Sequence, residues 1–199
     1  AYTFTVKATN TAGESAASAP SASVTPFTVP NAPTGVSGVA GNTQVTVSWV
    51  APASNGSSIT GYTVTASNGS TCTTSTTSCV VTGLTNGTAY TFTVKATNAA
   101  GDSPASAPSA SVTPATVPGA PTGVSGVAGN GQVTVSWVAP ASTGGSAITG
   151  DTVTASNGST CTTSTTSCAV TGLTNGTAYT FTVKASNTAG EGVASAASP

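Results

Sequence analysis

The chain has 199 residues and very little charge: three Lys, four Asp or Glu and no His, for a formal net charge of −1. So few basic residues leave no surface for nucleic acid, and without His neither a Ser-His-Asp nor a Cys-His nucleophile system can be built. No apolar run reaches the roughly eighteen residues of a membrane span, so none is expected in this fragment.

Residues 1–26 are predicted to be the C-terminal strands of an earlier repeat. Residues 2–10 alternate apolar and polar side chains, which indicates a strand with one buried face. Because the chain begins inside this strand, its first residue is not expected to be a native N-terminus. A lone two-stranded hairpin is marginal in water, so something is expected to hold Tyr2, Phe4 and Val6 in place. Either the array of repeats continues on both sides, or one copy's end strands complete the next copy's open sandwich.

The strand that contains Tyr2 recurs twice. Tyr90 follows it after 88 residues and Tyr179 after 89 more. A period of about 90 residues is too long for a solenoid unit and fits one small β-sandwich domain. We therefore predict a second domain over 27–114 and a third over 115–199, whose last strand is truncated. Pro-rich linkers at the start of both domains favour extended, semi-rigid backbone.

The second domain combines short alternating strands with turns and has no helix-period segment, which is typical of an all-β sandwich. Seven strands are predicted, over residues 35–40, 44–50, 61–67, 71–73, 79–82, 89–98 and 109–113. The predicted structural core comprises Trp49, Tyr62, Leu84, Tyr90 and Phe92, with Trp137, Leu173, Tyr179 and Phe181 in the third domain. Leu84 before an Asn-Gly turn and Tyr90 after it suit a tyrosine corner.

The four cysteines form two pairs with the same spacing, Cys72 with Cys79 and Cys161 with Cys168. A disulfide within each pair would close a ring of about eight residues and add roughly 2.5 kcal/mol in the chain-entropy model. Free buried cysteines are the alternative. Disulfides would place the protein in an oxidising compartment, secreted or at the cell surface. Two thiolates without His cannot complete a zinc site, so no metal is expected there.

Five segments, in order along the chain, resemble the fibronectin type III module. They are 32–36 (APTGV), 47–49 (VSW), 59–64 (ITGYTV), 84–90 (LTNGTAY) and 94–101 (VKATNAAG). The resemblance implies tandem immunoglobulin-like β-sandwiches of seven strands, three on four, used as spacers or adhesion units. The cysteine hairpin and the Thr/Ser-rich sequence resemble the secreted bacterial branch of the family. Members that bind integrins carry Arg-Gly-Asp before the last strand, but residues 100–103 read Ala-Gly-Asp-Ser, so that function is not implied.

Asp151 in the third domain stands where the second domain has Tyr62, after a one-residue insertion in the preceding loop. A buried carboxylate without a partner carries a large desolvation penalty. The favoured expectation is that the end of the strand opens and lets Asp151 reach water. The alternative is that Asp151 is a functional acid.

The acids do not predict a catalytic or calcium site. Glycosidase chemistry needs two close carboxylates and calcium needs several oxygen ligands, but the four acids, Glu14, Asp102, Asp151 and Glu191, are spread over three repeats and form no cluster in the sequence. Three of them follow a lysine by seven residues, which indicates either a weak ion pair across a hairpin or a repeated contact between adjacent domains. These pairs are Lys7 with Glu14, Lys95 with Asp102 and Lys184 with Glu191. No catalytic residue, cofactor or metal is predicted.

Two functions fit these features. The leading hypothesis is a non-catalytic structural array in an extracellular fibre, sheath or cell-surface adhesin, whose partners are neighbouring repeats or copies of itself. The alternative is a set of spacer domains in a secreted polysaccharide-degrading enzyme. Direct carbohydrate binding usually uses exposed aromatic residues, and those of the second domain are predicted to lie in the core, so it has no support from the sequence.

Overall fold

The computed structural model describes all 199 residues and contains strands but no helix. Residues 1–26 hold only a small hairpin, and each following repeat holds seven strands. The first nine strands are β1 Thr9–Asn10, β2 Gly13–Glu14, β3 Thr34–Gly41, β4 Gln44–Val50, β5 Gly61–Ala66, β6 Thr71–Thr74, β7 Ser78–Thr82, β8 Phe92–Asn98 and β9 Gly101–Asp102. The third repeat has β10 Thr122–Gly129, β11 Gln132–Val138, β12 Gly150–Ala155, β13 Thr160–Thr163, β14 Ser167–Thr171, β15 Phe181–Asn187 and β16 Gly190–Glu191.

Each full repeat is a sandwich of a three-stranded and a four-stranded antiparallel sheet. In the second repeat the sheet orders are β3-β4-β7 and β6-β5-β8-β9, and in the third they are β10-β11-β14 and β13-β12-β15-β16. This is the all-β arrangement of three strands on four that the sequence led us to expect. The two sheets pack their alternating apolar side chains against each other, which places one core inside each repeat.

The core of the second repeat forms from the inward positions of β4, β5 and β8. Val45, Val47 and Phe92 are fully buried, because these positions face the opposite sheet at every second residue. The rings of Trp49 and Tyr62 lie 5.2 Å apart between centroids. The buried apolar residues are Val45, Val47, Trp49, Tyr62, Val64, Ala66, Val81, Leu84, Tyr90, Phe92, Val94 and Ala96.

A tyrosine corner closes each sandwich. The Thr85 backbone N–H donates to the Tyr90 hydroxyl at 3.1 Å, and Thr174 donates to Tyr179 at 3.2 Å. Tyr90 also forms a backbone bridge with Val112. Tyr179 was predicted as core but is only half-buried, because no residue in these 199 takes the place of Val112 beside it.

The predicted last strand over 109–113 is wrong. Only Val112 forms a bridge there, and residues 103–112 instead approach β8 once in every three residues. The backbone N–H groups of Ser103, Ser106 and Ser109 donate to alternate carbonyls of β8 at 2.7–2.9 Å, and their hydroxyls accept from the adjacent β8 N–H groups at 2.9–3.1 Å. Pro residues in this segment favour a backbone with three residues per turn, so serine hydroxyls serve as the acceptors that a regular strand would supply.

Residues 1–26 have the same pairing but no sandwich around it. The predicted strand over 2–10 forms a regular ladder only at Thr9–Asn10, and three serines pair with the rest of it. Tyr2 and Phe4 are each 62% exposed and Val6 is 70% exposed. The apolar face of this hairpin therefore lies open in the single chain.

Candidate functional site at the repeat junctions

Both cysteine pairs are disulfide-bonded. Cys72 on β6 joins Cys79 on β7, and Cys161 on β13 joins Cys168 on β14, with Cα atoms 6.3 Å apart in each pair. In each repeat the bond links the edge strand of the four-stranded sheet to the edge strand of the three-stranded sheet. All four side chains are half-buried against the cores. The disulfides therefore staple the two sheets of each sandwich together.

Asp151 does not reach water through an opened strand, which corrects the favoured expectation. It lies within β12, pairs with Thr163 and Ala185 on the two neighbouring strands, and is only 6% exposed. Pairing on both sides holds the backbone in the sheet, so the side chain stays inside. Its Oδ1 atom has no hydrogen-bond partner.

The pKa of Asp151 is raised above its ordinary value, chiefly because burial disfavours the charged carboxylate. The nearby Trp137 indole lowers the pKa in part. Trp137 Nε1 nevertheless forms no hydrogen bond of normal geometry and remains, like Asp151 Oδ1, without a partner. Acid–base catalysis by Asp151 would need a second catalytic group beside it. Only an indole lies there, so the structure does not support the functional-acid alternative.

Two of the three expected ion pairs lie within their own hairpins. Lys7 Nζ is 3.2 Å from Glu14 Oε2, and Lys184 Nζ is 2.9 Å from Glu191 Oε2. The third acid, Asp102, instead accepts a hydrogen bond from Thr97 Oγ1 at 2.7 Å. These pairs are exposed and join strands of one hairpin, so they are not contacts between domains.

The linker between the second and third repeats has no free residue. The Pro114 carbonyl accepts from the Gly87 N–H at 2.9 Å, and the Ala115 N–H donates to Gly41 at 3.2 Å, both in the second repeat. The next residue, Thr116, already donates to Gly144 of the third repeat at 2.8 Å. The backbone therefore passes from one repeat to the other between two consecutive residues.

A buried asparagine fixes the incoming linker in each repeat. Asn187 Nδ2 donates to the carbonyls of Thr116 at 2.7 Å and Thr143 at 2.8 Å. Asn98 makes the equivalent bonds to Thr28 at 2.8 Å and Ser54 at 2.9 Å. Each Asn thus ties the linker to the loop after β4 or β11, and each is buried. Sequence reasoning missed these residues, although their inward position at the end of an alternating strand was a signal for a buried polar contact.

Two glycines bring the repeats into backbone contact. A Cβ on Gly145 would lie 2.5 Å from the Gly87 nitrogen and 2.8 Å from the Asn86 carbonyl carbon. Such distances are closer than real Cβ atoms come to neighbouring atoms, so only glycine fits this approach without movement. Three linker prolines, Pro114, Pro118 and Pro121, are also buried. Hydrogen bonds, prolines and the glycine contact together define a junction without a flexible spacer.

The two sandwiches, their tyrosine corners and their order along the chain define a tandem of immunoglobulin-like modules. The fibronectin type III domain family matches residues 31–112 and 119–199, so this chain belongs to that family and its two full repeats are non-catalytic modules. The chain is also similar to a solved tandem of such modules, the chicken CNTN1 FN1-FN3 domains. The TM-score is 0.52 at 26% identity, and the likeness covers 98% of this chain and 73% of that one.

Several relatives are named as enzymes. The chain is 38% identical to Chitinase A1 of Niallia circulans over 154 residues, covering 73% of this chain and 22% of that protein. It is 34% identical to Exoglucanase B of Cellulomonas fimi over 208 aligned positions, covering 96% of this chain and 19% of the relative. Exoglucanase A of the same organism is 39% identical, over 95% and 24%. The chain thus spans only about a fifth of the first two relatives. No helix in the structure is long and apolar enough to cross a membrane.

Proposed function

We propose that this chain is a stiff spacer within a secreted polysaccharide-degrading enzyme, in which the repeats hold a catalytic domain at a set distance. The observation that carries the stiffness is the junction, where no linker residue lies between the last bond to one repeat and the first bond to the next. We divide the spacer into the end of one repeat, 1–26, and two repeats, 27–114 and 115–199.

The named relatives support the enzyme context. Both exoglucanases are similar along almost the whole of this chain, while the chain spans 19–24% of their length. Most of each relative therefore lies outside the part that resembles this chain. A pair of non-catalytic modules inside a protein named as an exoglucanase is suited to connecting parts of it, which favours the spacer hypothesis over the fibre or adhesin.

Secretion follows from the same reasoning. Both disulfides join edge strands, and their cysteine side chains are only half-buried. Such bonds persist in oxidising compartments. The fibre hypothesis needs self-association. The open face of Tyr2, Phe4 and Val6 provides an apolar surface for it, but the relatives are named as a chitinase and exoglucanases and not as fibre or adhesin proteins.

The enzyme context is tested by determining the full-length secreted protein by intact mass spectrometry and sequencing. We expect a polypeptide in which a glycoside hydrolase domain shares the chain with residues 1–199. A full-length protein composed only of further repeats and a cell-wall anchor would overturn the spacer proposal in favour of the fibre or adhesin.

The stiffness is tested by Gly145→Ala, with Gly158→Ala as the matched control. Both glycines have a positive φ, +90° and +88°, so an added Cβ strains the backbone equally, but nothing lies within 4 Å of a Cβ at Gly158. We expect Gly145→Ala to change the maximum dimension of the chain in small-angle X-ray scattering, because the junction must open. Gly158→Ala should leave the scattering curve unchanged. Identical curves for both variants would show that the junction does not set the shape.

A further inference from the structure

The four-stranded sheet of each repeat exposes a grid of threonines on its outer side. Inward positions of β5 and β8 are buried, and the positions between them face solvent. We call the outward set the threonine face. It comprises Thr63, Thr65, Thr71, Thr73 and Thr93 in the second repeat and Thr152, Thr154, Thr160, Thr162 and Thr182 in the third.

The strand register aligns these residues in rows. Thr65 pairs with Thr71 on one side and with Thr93 on the other, and Thr63 pairs with Thr73 and with Lys95. Neighbouring strands lie about 4.8 Å apart, and alternate residues along a strand about 6.7 Å apart. Hydroxyl and methyl groups therefore repeat in two directions over one side of the sheet.

The hydroxyls of this face are free for an external partner. None of the ten threonines uses its hydroxyl in a side-chain hydrogen bond within the protein, whereas Thr74 and Thr76 at the adjacent turn do. Each row thus presents unused donors and acceptors beside methyl groups. A sugar ring offers the same combination, with hydroxyls at its edge and C–H groups on its faces.

From this arrangement we infer that the threonine face of each repeat binds the surface of an insoluble, uncharged β-linked polysaccharide. The outer side of each four-stranded sheet carries one lysine and one acid, Lys95 with Asp102 in the second repeat and Lys184 with Glu191 in the third, so each side is neutral overall. A polyanion or an anionic membrane would find no complementary field there, whereas a neutral polymer needs none. The inference rests on the proposed function for its choice of polymer, since the relatives are named as chitinases and exoglucanases.

Binding at a single face is weak, so the overall affinity depends on how many faces bind at once. In the two sandwiches every Trp, Tyr and Phe except Phe27 is buried or half-buried, so no aromatic platform adds stacking energy. A hydrogen bond exchanged with water contributes little on its own. Where both faces of one chain reach the same surface, the second contact is intramolecular and adds to the first.

The test measures depletion of the oxidised chain 1–199 from solution by microcrystalline cellulose and, separately, by chitin powder. The test variant removes two hydroxyls per repeat while keeping the β-branched shape, through Thr65→Val, Thr73→Val, Thr154→Val and Thr162→Val. The matched control makes the same change on the outer side of the three-stranded sheets, through Thr46→Val, Thr82→Val, Thr134→Val and Thr171→Val. Far-UV circular dichroism checks that both variants are folded.

We expect the wild type and the control variant to bind at least one of the two polymers, and the test variant to partition about tenfold less, from the loss of several weak hydrogen bonds. Binding only to chitin or only to cellulose identifies the polymer. The inference is overturned by a wild type that binds neither polymer, by equal binding of all three proteins, or by sugars covalently attached to these threonines in the native protein. A wild type that binds neither polymer leaves the spacer proposal intact, because the full-length sequence tests that independently.

Discussion

The second and third repeats share a fold but differ at the centre of their cores. In the second repeat Trp49 and Tyr62 pack as a tilted aromatic pair. In the third, Trp137 faces Asp151, whose Oδ1 atom is buried without a hydrogen-bond partner, while the indole N–H groups of Trp49 and Trp137 lack a partner in both repeats alike. The backbone does not respond, because Asp151 keeps the strand pairs that Tyr62 makes. Strand pairing therefore maintains the sandwich even where its core is poorly filled.

The rim of the core differs as well. Tyr90 is covered by Val112, and Val45 is fully buried beside it in the second core. In the third repeat Tyr179 and Val133 are half-buried, because the position that corresponds to Val112 would follow residue 199. The expected difference in stability therefore rests on the central pair: Tyr62 fills the second core where Asp151 leaves the third poorly filled, and large buried side chains contribute most to stability.

Exchanging the two central residues should have the largest effect on the difference in stability between the repeats. Tyr62→Asp is expected to destabilise the second repeat by about 3–5 kcal/mol, because it deletes a buried ring and inserts an unpaired carboxyl. Asp151→Tyr is expected to stabilise the third repeat by restoring the aromatic pair. Hydrogen exchange of peptides from β5 and β12, followed by mass spectrometry on the full chain, reports the two repeats separately.

The control for this exchange is Asp151→Asn, which removes the charge without filling the space that a tyrosine ring would occupy. It should protect β12 less than Asp151→Tyr does. Equal exchange of β5 and β12 in the wild type, together with no gain from Asp151→Tyr, would show that the contents of the core do not set the order of stability.

Alternation predicted the parts of the fold in which each strand has one buried face. The predicted strand over 44–50 coincides with β4, and Trp49 and Phe92 were placed inward by the same pattern, as the structure has them. The final segment was missed because its contacts recur every three residues, at Ser103, Ser106 and Ser109. Prolines within it signal that backbone, but a period-two search does not detect it.

The junction could be predicted only in outline. Its prolines indicated a stiff linker, but the contact of Gly145 with Gly87 joins loops of two different repeats, and no local pattern pairs them. The burial of Asp151 was also beyond local reasoning. The desolvation penalty favoured an open strand end, and the opposing effect was hydrogen bonding to two neighbouring strands.

The disulfides provide a second test of why the two repeats differ in stability, because they occupy the same position in both. Cys72→Ala with Cys79→Ala should destabilise the second repeat by roughly 2.5 kcal/mol, since the open ring restores entropy to the unfolded chain. Cys161→Ala with Cys168→Ala should cost the third repeat the same amount. Urea unfolding of the full chain measures both losses. A much larger loss in one repeat would mean that the bond there also supports the core, and that Tyr62 and Asp151 are not the main difference between the repeats.

The smallest expected effect is a pH dependence confined to the third repeat. Burial raises the pKa of Asp151 in the folded state, so the folded repeat binds a proton more tightly than the unfolded chain does. The third repeat should therefore gain stability as pH falls from neutral through the raised pKa, and the gain should be complete below the unfolded value of about 3.8.

The measurement is the difference between the wild type and Asp151→Asn, which differ only at this side chain and both keep the exposed ion pair of Lys184 with Glu191. Urea midpoints of the third repeat between about pH 7 and pH 4 should converge as the wild-type carboxyl becomes neutral. The second repeat has Tyr62 at this position, so its midpoint should be the same in both proteins at every pH. A difference that stays constant across the range would mean that Asp151 is already protonated at neutral pH, or that its charge reaches solvent after all.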